Sequence, residues 1–259
     1  PAGPVRAARI EAEGHSVIGV DLAGQEVEAD LSSPEGRSGA VEAIRAAAGD
    51  VLERLSGGPF EAKVKHELFQ CTVEVITDVC DTVAAARADL ESSLDALRRI
   101  TDAQGLGVIG SGTHPFSDWR TLEVSPGERY AHLIDTIQWP ARRLAIHGVH
   151  FHVGVPGGAE SVAVVQSLAF HLPLFLAASA SSPFWLGTDT GMASSRTKVF
   201  EGLPTAGLPP RLADWHEFES LMDGLLTAGV ITSIREIWWD CRPHPDFGTV
   251  ELRMCDGMP

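Results

Sequence analysis

Alternation constrains this chain more than any other feature. Successive side chains of a strand point to opposite faces, and four segments sort cleanly on that rule. Over 148–155, Val149, Phe151, Val153 and Val155 form an apolar face, with His150 and His152 opposite, beside Gly148 and Gly154. Over 64–77, Phe69, Cys71, Val73 and Val75 oppose Gln70, Thr72 and Glu74. Over 248–255, Val250, Leu252 and Met254 oppose Thr249, Glu251 and Arg253. Over 234–242, Ile237, Trp239 and Cys241 oppose Glu236, Trp238, Asp240 and Arg242, and Asp240 and Arg242 are expected to pair with each other. These segments predict a sheet with helices on its greasy side and acids, imidazoles and arginines on the other. Antiparallel sheets often have one wet face, but a wet face usually carries Lys, Ser and Thr. Carboxylates with imidazole suit divalent cations, and arginines beside them suit phosphate or carboxylate groups.

Helical spacing fills the intervals. Asp81 can cap a helix over 82–103, with Leu90, Leu94, Leu97 and Ile100 on one side and Gly105 as its stop. A short strand is expected over 106–111. A helix follows over 129–144 with a kink at Pro140, and another over 160–177 interrupted by Pro173. Residues 185–207 read as a long loop. Asp214 and Glu217 resemble a capping box whose helix turns Trp215, Phe218, Met222 and Leu225 inward and ends at Gly229.

Residues 1–48 read differently, as helix, strand, strand, helix, with Pro34 in the first turn of the last helix. They resemble the N-terminal section of a short-chain dehydrogenase, with Asp21 in the place of the ribose-holding acid and Asp30 at the later adenine side. The glycine-rich phosphate loop of that family is missing. The expected organisation is a Rossmann-like appendage over 1–48 and one catalytic domain over 50–259. A chain that begins at Pro1 and stops after a strand-like segment is expected to be truncated at both ends.

The net charge of −15 argues against a nucleic-acid partner. The longest apolar runs, such as 172–180, are about half the roughly 20 residues of a membrane span, so no membrane partner is expected. Four cysteines without a C-x-x-C pair argue against a disulfide framework or a cysteine zinc site. A cytoplasmic setting follows as the expectation. The sequence has no G-x-S-x-G, H-E-x-x-H or P-loop motif.

An ordered set of motifs runs from about residue 50 to the end: 67–77 (ELFQCTVEVIT), 112–116 (GTHPF), 127–130 (GERY), 148–154 (GVHFHVG), 178–185 (ASASSPFW), 189–196 (DTGMASSR), 204–207 (PTAG), 239–243 (WDCRP) and 248–253 (GTVELR). Together they resemble the bacterial type-2 glutamate–cysteine ligases, or carboxylate–amine ligases. The resemblance implies an α+β fold like that of glutamine synthetase, a curved, mainly antiparallel sheet forming a funnel with helices outside. It implies ATP and Mg2+ as cofactors, and glutamate with cysteine or another amine as small-molecule substrates. Glutamate would be activated as an acyl phosphate and captured as a γ-glutamyl amide. A homo-oligomer, such as a dimer, is the expected assembly. By the same resemblance Glu67, Glu74, His150 and Glu251 would bind metal. His150, His152, Arg196 and Thr249 would bind substrate or ATP. Arg196, on a loop closing over the site, and Arg253 would stabilise the transferred phosphoryl group. Parity alone puts Glu67 on the opposite face from Glu74 unless a bulge intervenes. An NAD(P)-dependent oxidoreductase fragment and an inactive ligase paralogue acting as a binding module are the alternatives.

Overall fold

A computed structural model describes residues 47–258. The elements expected over 1–46 lie outside the described residues. The helix α1 (Ala47–Leu55) spans the expected boundary near residue 48. Its Ala48, Val51 and Leu55 pack with Val64, Val73, Leu94 and Leu97 in one cluster.

The long strand expected over 64–77 is a hairpin instead. Strands β1 (Val64–His66) and β2 (Val73–Val75) pair antiparallel, with Lys65 opposite Glu74. Between them Leu68 and Phe69, adjacent in sequence, both bury against Ile134, Ala141 and Ala145. A straight strand would send neighbours to opposite faces, so the chain must turn there.

Helix α2 (Val83–Ala103) is capped by Thr82, not Asp81: the Ala85 amide donates to the Thr82 hydroxyl at 3.1 Å. Gly105, at φ +71°, ends it as expected. Residues 106–111 form no strand; the nearby pairing is an isolated bridge between Thr113 and Ile146. The helix expected over 129–144 is two helices, α3 (Glu128–Ile137) and α4 (Trp139–Arg142). The break falls at Gln138, φ +59°, while Pro140 sits in the first turn of α4, where its missing N–H costs nothing.

Strand β3 (Gly148–Gly154) leads to α5 (Gly158–Ser179), which runs unbroken through Pro173. The expected loop over 185–207 holds the small hairpin β4 (Phe184–Trp185) and β5 (Thr188–Asp189), then the short helix α6 (Ser195–Phe200). Helix α7 (Trp215–Thr227) begins as expected, the Glu217 amide donating to Asp214 at 2.9 Å. The strand expected from residue 234 begins only at Cys241. Residues 234–236 form a 3-10 turn, because Ile237 and Trp239 bury against Phe218 and Met222 of α7.

The main sheet has the order β3–β7–β6, with β6 (Cys241–His244) and β7 (Thr249–Asp256), all antiparallel. Val165 and Leu172 of α5 pack on Cys241, Val250 and Leu252, so the apolar face predicted by alternation is covered on β6 and β7, whereas on β3 Phe151 and Val153 of that face are exposed. By length and composition alone α5 is long and apolar enough to cross a membrane; in the fold it lies across this sheet. The class is α+β, built from small antiparallel sheets.

Candidate active site

The polar face of the main sheet converges on Glu251. On β3 its register partner is His152 and on β6 it is Arg242. The carboxylate is buried and gripped on both oxygens. Arg242 Nε donates to Oε2 at 2.7 Å, and Arg253 Nη1 donates to Oε1. His150 Nδ1 and His152 Nε2 lie 3.4 and 3.7 Å from Oε1. Burial alone would raise the Glu251 pKa, but Arg253 and Arg242 hold it down at about 2. Arg242 also donates to the carbonyls of Ile234, Arg235 and Ile237. Its partner is thus Glu251 and not Asp240, as expected from sequence. Burial lowers Arg253 to about 10, which leaves it charged at neutral pH. Burial also keeps His150 and His152 neutral. The Thr249 hydroxyl sits 2.9 Å from His152 Nδ1.

Arg253 lies in a bulge. Between the pairs Val149–Cys255 and Phe151–Leu252, β7 carries two residues, Arg253 and Met254, opposite His150 alone. Such bulges leave backbone groups unpaired and re-aim side chains. Arg196 fills this one, donating from Nη2 to the Arg253 carbonyl and from Nη1 to the Met254 carbonyl, both at 3.1 Å. The expected closing-loop position is therefore corrected. Arg196 belongs to α6, is buried, and reaches the backbone of β7. Asp256, fully buried, accepts from the Ser181 amide and the Ser182 and Ser194 hydroxyls at 3.0, 2.7 and 2.9 Å. It fastens the end of β7 beside α6.

Glu67 and Glu74 form the second part. Because the chain turns at 67–72, strand parity no longer separates them. Both side chains are exposed to solvent, yet the protein around them still penalises their charge. Burial raises Glu67, partly offset by the Leu68 amide and by Arg129 and Arg253. Burial raises Glu74 too, and the charge of Glu67 adds to the rise. Tyr130, whose hydroxyl donates to the His66 carbonyl at 2.7 Å, is pushed up to about 12 by burial and by Glu67. Arg129 was overlooked from sequence although it lies within the 127–130 motif.

The fit to Mg2+ divides these residues. Among the described residues no three of His, Cys, Asp and Glu converge as a ligand cluster. Glu251 has both oxygens committed to guanidinium groups. Glu67 and Glu74 are exposed carboxylates whose charge is offset only in part, and Mg2+ is commonly held by one or two carboxylates together with substrate phosphates.

The comparisons with known proteins agree on one family. Residues 22–259 match the family described as glutamate-cysteine ligase family 2. A Frankia alni protein named "Putative glutamate--cysteine ligase 2-1" is 54% identical over 210 residues, covering 81% of this chain and 55% of that protein. "Putative glutamate--cysteine ligase 2" of Thermobifida fusca is 52% identical over 208 residues, 80% of this chain and 52% of its own. The Gloeobacter violaceus protein of the same name is 48% identical over 193 residues, 74% and 52%. The chain spans about half the length of these curated relatives. Because the family match begins at residue 22, the dehydrogenase-like reading of residues 1–48 is not borne out.

Proposed function

The chain belongs to glutamate–cysteine ligase family 2, and from that membership we propose that it carries the phosphate-handling face of an ATP- and Mg2+-dependent carboxylate–amine ligase. The reaction joins the γ-carboxylate of glutamate to the amine of cysteine, or of another small amine, through an acyl phosphate, in the cytoplasm. The curved funnel of glutamine synthetase, into which the separate sheets would fit as wall segments, is part of the same proposal.

One observation carries it: Glu67 and Glu74, brought to one side by the turn at 67–72, are both raised by burial, and Arg129 and Arg253 act on both in the opposite sense. Phosphoryl transfer is mostly positioning and electrostatics, and these residues offer groups of both signs of charge. Glu67 and Glu74 would hold Mg2+, which supplies charge neutralisation to the phosphates. Arg253 would face the transferred phosphoryl group. Glu251 serves as the anion that aims Arg253 and Arg242, and Arg196 as the group that holds the bulge. His150, His152 and Thr249 would offer neutral hydrogen bonds to bound substrate.

The test is to incubate the chain with ATP, Mg2+, glutamate and cysteine and measure ADP. ADP that requires both amino acids is the expected result, and none above background from folded protein would overturn the activity for this chain. A second reading is nucleotide binding without turnover, which fits Glu251 having both oxygens held by arginines. Mg2+-dependent ATP binding with no ADP would select it.

The raised Glu74 also makes a stability prediction. Glu74→Gln removes a charge that burial and Glu67 disfavour, so its thermal midpoint is expected to exceed that of the parent, more at pH 8 than at pH 5. The sign follows from the raised folded pKa. A raised carboxyl costs stability as pH climbs from the ordinary value through the folded one. Mg2+-dependent nucleotide binding should weaken about tenfold or more, since a contact to a charged group is worth roughly 1.5–3 kcal/mol. Calorimetry at both pH values and a nucleotide titration check the two halves.

A further inference from the structure

The turn joining β6 to β7 bears an aromatic ring that the fold does not cover. Phe247 is 64% exposed, yet it is not loose. One face lies flat on His244, with centroids 4.3 Å apart and planes 8° from parallel. His152 stands edge-on to both rings at 5.5 Å and is tied to Thr249. The turn itself is braced by the Arg235–Asp246 ion pair at 3.2 Å and by Gly248 at φ +62°, whose carbonyl accepts from the Val155 amide. A ring stacked on one face and open on the other offers a preformed flat surface to another planar group.

His152 joins this shelf to the charged face, since the same ring touches Phe247 and lies 3.7 Å from Glu251. Burial keeps His244 and His152 neutral, so the stack presents uncharged π faces. We propose that the open face of Phe247 is the platform for the planar base of the bound nucleotide, with the phosphates directed along the sheet towards Arg253, Glu67 and Glu74. This rests on the ligase reading, and adds to it where the base lies.

The discriminating ligand is one without a base. The chain is titrated with Mg2+-ATP and, separately, with Mg2+-tripolyphosphate, in the parent, Phe247→Ala and Phe247→Trp forms. Phe247→Ala should weaken ATP about tenfold, the scale of one base–aromatic stack, and leave tripolyphosphate unchanged, while Phe247→Trp keeps ATP binding. Equal losses for the two ligands, or no loss for either, would overturn the platform and leave the ligase reading standing. A parent chain that binds neither ligand would overturn both.

Discussion

Replacing Glu251 with alanine is expected to lower stability by about 3–5 kcal/mol, the usual result of removing one partner of a buried ion pair. The size follows from what is left behind. Arg242 and Arg253 are both buried, and both currently spend donors on this one carboxylate. Without it two like charges face each other in a poorly solvated space. Glu251→Gln should cost less, because its carbonyl oxygen still accepts from one guanidinium. Urea unfolding of the three proteins measures this, and an alanine variant within about 1 kcal/mol of the parent would show the cluster to be far wetter than its burial indicates. The pH dependence gives an independent check. Glu251 is held at about 2 against an ordinary 4.5. A depressed carboxyl contributes fully above its unfolded value and is lost as pH falls through the folded one. The parent should therefore lose stability between about pH 4.5 and 2, and the alanine variant should lack that part of the decline. Glu67 and Glu74, whose values are raised, act with the opposite sign and at higher pH.

Alternation was enough to place His152, Glu251 and Arg253 on one polar face and Val250 and Leu252 under a helix. It works because β7 is a long buried strand with α5 on one face, where a one-residue slip would expose the core. It failed where tertiary burial overrides local pattern. Leu68 and Phe69 both find a core, so the strand bends and Glu67 joins Glu74. The backbone role of Arg196 was illegible because a bulge announces itself only through register, and no motif reports which carbonyls go unpaired. Arg242 was assigned to Asp240 because sequence proximity hides a cross-strand partner nine residues away, which the hairpin at 245–247 brings opposite. Phe247 drew no notice, since a single aromatic in a turn has no period to reveal it.

Gly148→Ala is expected to be the most damaging single-methyl change in the described fold. A Cβ at this position would lie 2.1 Å from Arg196 Nη2 and 2.7 Å from its Cζ, far inside contact distance. A guanidinium is the end of a flexible side chain and would normally step aside. Here it is buried, packs against Phe200, and holds both carbonyls of the bulge. Moving it strands two acceptors and a buried charge, at about 3 kcal/mol or more. The methyl should also reduce nucleotide affinity, because Arg253 is one of the two residues of the bulge that Arg196 holds. A double-mutant cycle separates this account from simple overpacking. Arg196→Met removes the guanidinium and opens space beside Gly148. If displacement of Arg196 is the damage, Gly148→Ala in that background adds less than about 1 kcal/mol, a strongly non-additive pair. If the two costs simply add, the methyl does its harm elsewhere and the buttress is not what Gly148 protects. The same cycle read by nucleotide affinity should show the same collapse, since either change alone releases the bulge in which Arg253 sits.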